Sequence, residues 1–73
     1  MNAELKPNEA RLVANIDPSR SEPRGSSAPA IGDVVQLDQG TVDEYGVPMS
    51  LVYCWNPDGS IRWGALVYDN EIE

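Results

Sequence analysis

The stretch MSLVYCWNPDGSIRWGALVY, residues 49–68, decides the fold. At its centre Pro57 presets φ for the second position of a type I turn and Asp58 follows it. Gly59 then supplies the left-handed residue of a hairpin loop closed by a G1 bulge. Such a loop pairs Trp55 with Ile61. A regular antiparallel ladder continued outward pairs Cys54 with Arg62, Tyr53 with Trp63, Val52 with Gly64, Leu51 with Ala65 and Met49 with Val67. Side chains alternate across a sheet. One face is therefore expected to carry Met49, Leu51, Tyr53, Trp55, Ile61, Trp63, Ala65 and Val67, all apolar or aromatic. The other would carry Ser50, Val52, Cys54, Arg62, Gly64, Leu66 and Tyr68, a mixed set. Turn chemistry and apolar pattern select the same register, which predicts a hairpin 49–55/61–67 with its aromatic face inward.

The flanking sequence also reads as β. DVVQL (33–37) is a β-branched strand closed by DQG, and TVDEYGVP (41–48) contains a turn around Tyr45-Gly46. Pro48 suits the first position of its strand, where no ladder donor is needed. DNEIE (69–73) gives a last turn and a short pairing through Ile72. The expectation is a mainly β domain over 31–73, with a small α+β arrangement as the alternative. It would be a short antiparallel sheet or an SH3-like partial barrel of roughly three to five strands. Ahead of it, DPSRSEPRGSSAPA (17–30) has almost no large apolar residue and reads as a flexible linker, too poor in apolar area to offset its ordering entropy. In the N-terminal arm, 1–16, Asn8 could cap a short helix through Asn15. Leu12, Ala14 and Ile16 alternate as a strand would. Asp17-Pro18 ends either element.

Seventy-three residues make one domain at most. One cysteine and no histidine leave no internal disulfide, no zinc set, no imidazole base and no Ser-His or Cys-His pair. The acidic pairs lack the oxygen spacing of a calcium loop, and no glycine cluster could cradle a phosphate. No cofactor or metal is expected, and no enzymatic activity. Cys54 reads as a small packing residue, although a cation at Arg62 could lower a thiol pKa.

The net charge is −7, and the imbalance lies wholly in residues 33–73, where eight carboxylates face Arg62 alone. Phosphates need a cationic surface, so direct nucleic-acid binding is not expected. A basic protein surface is the better match, unless the charge serves solubility alone. The contact candidates are Arg62, Tyr68, Leu66 and Val52 on the mixed face, and Tyr45, Asp43 and Glu44 in the adjoining turn. Tyr53, Trp55 and Trp63 are assigned to the core rather than to a base-stacking platform. The leading reading is a protein-interaction module, SH3-like in outline. An acidic DNA mimic that inhibits a nucleic-acid enzyme is the alternative. The polar opening and the short longest apolar run, LVYCW, predict a soluble protein with no membrane partner. The lone cysteine suits a reducing cytoplasm, and a monomer is expected.

The chain as a whole resembles the small RNA-polymerase-binding transcription regulators of lytic Xanthomonas bacteriophages. The likeness lies in its length, the opening MNAELKPNEARLVANIDP (1–18), the acidic β half and the lack of catalytic groups. The resemblance implies a non-catalytic protein acting in the host bacterial cytoplasm. It would bind host RNA polymerase at the N-terminal segment of β′, reach the β flap, inhibit initiation and promote antitermination. No contact residues carry over from it.

Overall fold

The computed structural model of the chain describes residues 7–23 and 28–73. Five strands form one open antiparallel sheet: β1 (Glu9–Arg11), β2 (Ser21–Pro23), β3 (Val34–Val42), β4 (Pro48–Trp55) and β5 (Ile61–Tyr68). Their order across the sheet is β1-β3-β4-β5-β2. Two short 3-10 turns, Pro18–Arg20 and Asp69–Glu71, complete the elements. The mainly β expectation holds.

The β4–β5 turn forms as its residues dictate. Gly59 N–H donates to Asn56 O at 3.0 Å, and Gly59 takes φ 90°. Asp58 fastens the loop by accepting from the Ser60 N–H at 2.9 Å and the Ser60 hydroxyl at 2.6 Å. The β3–β4 connection uses the same device: Gly46 N–H donates to Asp43 O, and Asp43 N–H to Val47 O. Pro48 opens β4 as expected.

Beyond the first pair, the hairpin register departs from the regular ladder. Trp55 pairs with Ile61, but Cys54 pairs with Trp63, not Arg62; Tyr53 with Gly64, Val52 with Ala65, Leu51 with Leu66 and Met49 with Tyr68. Arg62 is an extra residue in β5, a bulge that slips β5 by one position against β4. Alternation then places Val52 and Cys54, not Leu51, Tyr53 and Trp55, beside Trp63, Ala65 and Val67. The core accordingly holds Val52, Cys54, Trp63, Ala65 and Val67 with Ala10, Leu12, Ile16 and Val35. The cause is volume. Trp63 is wholly buried, and the smaller Val52 and Cys54 fit beside it, whereas Tyr53 and Trp55 on the same face would overfill a core this small.

A second bulge, at Asp38 between Leu37 and Gln39, lies on the other side of β4. Bulges bend their strands and add twist. The sheet remains open, yet the chain leaving β5 returns to its far edge. Val13 N–H donates to Glu71 O and Glu73 N–H to Arg11 O, each at 2.9 Å. Leu12 bridges Ile72, the short terminal pairing that the sequence suggested.

In the N-terminal arm, where the sequence left a short helix or a strand open, the strand forms: β1 pairs with β3, Ala10 and Leu12 turn inward while Arg11 and Val13 stay outside, and Ile16 joins the core. The expectation for the linker changes. The first part of the supposed linker is ordered. Residues 18–23 form a 3-10 turn and β2, which pairs with Trp63, Gly64 and Ala65 of β5. Its tether is electrostatic and distant in sequence. Arg20 clasps Glu71 through two bonds, Nη1 to Oε1 at 2.7 Å and Nη2 to Oε2 at 2.9 Å. Nη1 also reaches Leu66 O at 3.0 Å, and the guanidinium lies 4.9 Å from the Tyr68 ring centroid. Such a bidentate, part-buried pair is stronger than an ordinary surface ion pair. The first six residues of the arm and residues 24–27 of the linker lie outside the described residues.

Candidate functional site: the outer face of the sheet

The bulge at Arg62 leaves Leu51, Tyr53 and Trp55 of β4 on the face turned away from the core, while Met49 is buried. Cross-strand partners share a face, so Gln36, Tyr53, Gly64 and Glu22 form one outer row and Gln39, Leu51 and Leu66 the next. Trp55 remains 45 % exposed and Leu66 36 %, while Leu51, Tyr53 and Ile61 are half-buried. Tyr53 and Trp55 meet at a tilt with ring centroids 6.2 Å apart. The Trp55 indole N–H donates to Gln36 Oε1 at 2.8 Å, which fixes the ring against β3. Gly64 explains how Tyr53 lies so flat. A Cβ there would stand 3.1 Å from the Tyr53 ring, closer than ordinary contact.

Two shallow depressions adjoin on this face. The first, about 330 Å³, is lined by Leu51, Tyr53, Gly64 and Leu66 together with Arg20 and Glu22. The second, about 350 Å³, lies among Gln36, Asp38, Tyr53, Trp55 and Ile61. Tyr53 borders both.

The seven contact candidates do not form one patch. Val52 is wholly buried in the core and presents no side chain to a partner. Leu66 is on the outer face, as described. Asp43, Tyr45, Glu44 and Tyr68 gather at one end. Asp43 Oδ1 accepts from the Val47 and Tyr45 N–H groups, each at 2.8 Å, and its Oδ2 accepts from the Tyr68 hydroxyl at 2.8 Å. The Val47 N–H foremost, with the Tyr68 hydroxyl, lowers the Asp43 pKa, and the same bond to Asp43 raises that of Tyr68. Both side chains are thus engaged in holding the turn. Tyr45, 84 % exposed, and Glu44 project from it. Arg62 sits in its bulge at the opposite end of β5, about 20 Å away at the usual strand rise.

Sequence reasoning missed the outer-face residues because it placed Leu51, Tyr53 and Trp55 inside. Both alternating sets of β4 are largely apolar, so hydropathy could not choose between them. The available signal was size: a wholly buried tryptophan calls for small neighbours. It also missed Arg20 and Glu71, whose partners lie 46 to 51 residues away.

Among the described residues, no group of three or more His, Cys, Asp or Glu side chains could hold a metal ion. Cys54 is buried, and desolvation raises its thiol pKa, reinforced by Asp33 and opposed by Arg62. That is the reverse of an activated nucleophile. No helix of the described residues is long and apolar enough to cross a membrane. No family model matches the chain, and no curated protein or solved structure matches it significantly.

Proposed function

We propose that the protein is a non-catalytic, protein-binding regulator of bacterial RNA polymerase. It engages the N-terminal segment of β′, reaches the β flap, inhibits initiation at host promoters and promotes read-through at terminators. The naming of the partner rests on the whole-chain resemblance described above. The observation that carries the binding role is the outer face itself: a half-exposed aromatic and aliphatic strip on a domain whose residues 33–73 hold eight carboxylates against one arginine. An apolar strip of this kind marks an interaction surface, and the surrounding charge selects a cationic partner and repels phosphate.

The test is direct. Purified protein is mixed with core polymerase and passed through a sizing column, and promoter run-off and terminator read-through are measured in parallel. Co-elution with reduced initiation and increased read-through is expected. Unchanged transcription with no co-elution overturns the proposal. Excess duplex DNA in the same column run separates this reading from the DNA mimic, whose partner it would strip away.

A further inference from the structure

We propose that the two adjoining depressions of the outer face are one docking site for an extended, cationic segment of a partner protein. This inference rests on the protein-binding role proposed above and specifies its ligand. Tyr53 divides the site, with Leu51 on one side and Trp55 on the other. Along β4 these residues repeat every second position, a step of about 7 Å. An extended chain also turns alternate side chains to one face, so apolar residues on that face lie to either side of the Tyr53 ring, one in each depression.

Charge fixes the remaining chemistry. Glu22 stands at one depression and Asp38 at the other. Both are exposed, and among the described residues neither carboxylate is engaged by a hydrogen bond or ion pair. They differ in this from Asp43, Asp58 and Glu71, whose carboxylates are occupied within the protein. Lysine or arginine flanking the two apolar residues would reach these rim carboxylates. Arg20 also lines the first depression, but Glu71 takes up its charge. The unengaged charges at the two depressions are both negative, which favours a basic peptide segment over an anionic one.

Two synthetic peptides test this: one alternating leucine and lysine, and one alternating leucine and glutamate. The readout is the pair of indole N–H resonances of 15N-labelled protein. Trp55 lies in the site and Trp63 is buried in the core, so they serve as reporter and internal control. The Leu/Lys peptide is expected to shift the Trp55 indole saturably, with affinity falling as salt rises, and to leave Trp63 in place. The Leu/Glu peptide is expected to shift neither. Reversing the rim charges in Glu22→Lys/Asp38→Lys should weaken the Leu/Lys peptide at least tenfold while the Trp63 resonance reports an intact fold. No saturable shift at Trp55, or equal affinity in the charge-reversed variant, overturns the inference. A helical basic peptide with leucines at i and i+4 that binds more tightly overturns the extended mode. With polymerase, full retention by Trp55→Ala and by the charge-reversed variant overturns this site and leaves the proposed function standing. Peptide binding without any co-elution of the unaltered protein with polymerase overturns the proposed function instead.

Discussion

Trp55 and Trp63 flank the same turn, yet the sheet places them in opposite surroundings. Trp63 is wholly buried, with its indole N–H donated to Asp33 Oδ2 at 3.1 Å. Trp55 is 45 % exposed and bonded to Gln36 at the surface. A regular hairpin would have put both on one face. The inserted residue Arg62 separates them, and with them two tasks: one tryptophan with smaller neighbours builds the core, while Leu51, Tyr53 and Trp55 of β4 are left on the other face. A domain this size cannot bury two tryptophans and a tyrosine in one layer. The residues it leaves out become an apolar strip on its surface.

The sharpest way to break this comparison is to truncate each tryptophan in turn. Trp63→Ala removes the largest fully buried side chain, and such changes cost about 3–5 kcal/mol. A core in this size class supplies roughly that much in total, so the variant is expected to be largely unfolded at 25 °C by circular dichroism. Trp55→Ala is expected to cost about 1 kcal/mol or less in urea titration. Equal losses would show that both rings carry the core and that the bulge is misplaced.

Cys54→Leu asks the same question of β4. In the bulged register Cys54 is 5 % exposed opposite Trp63, and enlarging a packed site costs about 1–3 kcal/mol. In the regular register the same side chain would share the outer face with Arg62 and tolerate leucine. A shift in the urea midpoint beyond error decides between them.

The sequence made the elements legible where the determinants are local. Pro57, Asp58 and Gly59 set the turn, Pro48 opens β4, and Ile72 finds its short pairing. It left illegible what depends on distant partners. Nothing near Arg62 announces a bulge; its reason is the volume of Trp63 against Val52 and Cys54. Nothing near Arg20 announces an anchor either, because Glu71 and Leu66 meet it only after the sheet has curled. The candidate site followed the same division. Leu66 is legible from the hairpin pattern, whereas the regular register puts Tyr53 and Trp55 on the core face and the bulge puts them on the other.

The clasp has a pH signature. Arg20 chiefly, with help from the Tyr68 N–H, holds the Glu71 carboxyl below its ordinary value of 4.5. As pH falls past that value the unfolded chain therefore takes up a proton before the folded one does. The stability contributed is complete above pH 4.5 and is lost as pH drops through the lowered folded pKa. Glu71→Gln should cost about 1–2 kcal/mol at pH 7 and flatten part of the acid limb of stability against pH. Hydrogen exchange in the variant should rise first at 18–23, the segment the clasp ties down. An unchanged acid limb would mean that another carboxylate governs it.

Arg62→Ala is expected to do least. The side chain is exposed, and among the described residues it makes no hydrogen bond or ion pair. Exposed substitutions of this kind stay within about 0.5 kcal/mol. Arg62 lines neither depression of the proposed docking site, so the Leu/Lys peptide should bind the variant with nearly unchanged affinity. The position nonetheless decides which face each tryptophan takes, because what separates the faces is the extra backbone unit, and alanine preserves it. A marked loss of peptide affinity in Arg62→Ala, with Trp63 unperturbed, would return the contact surface to the turn end of β5 and away from the Tyr53 septum.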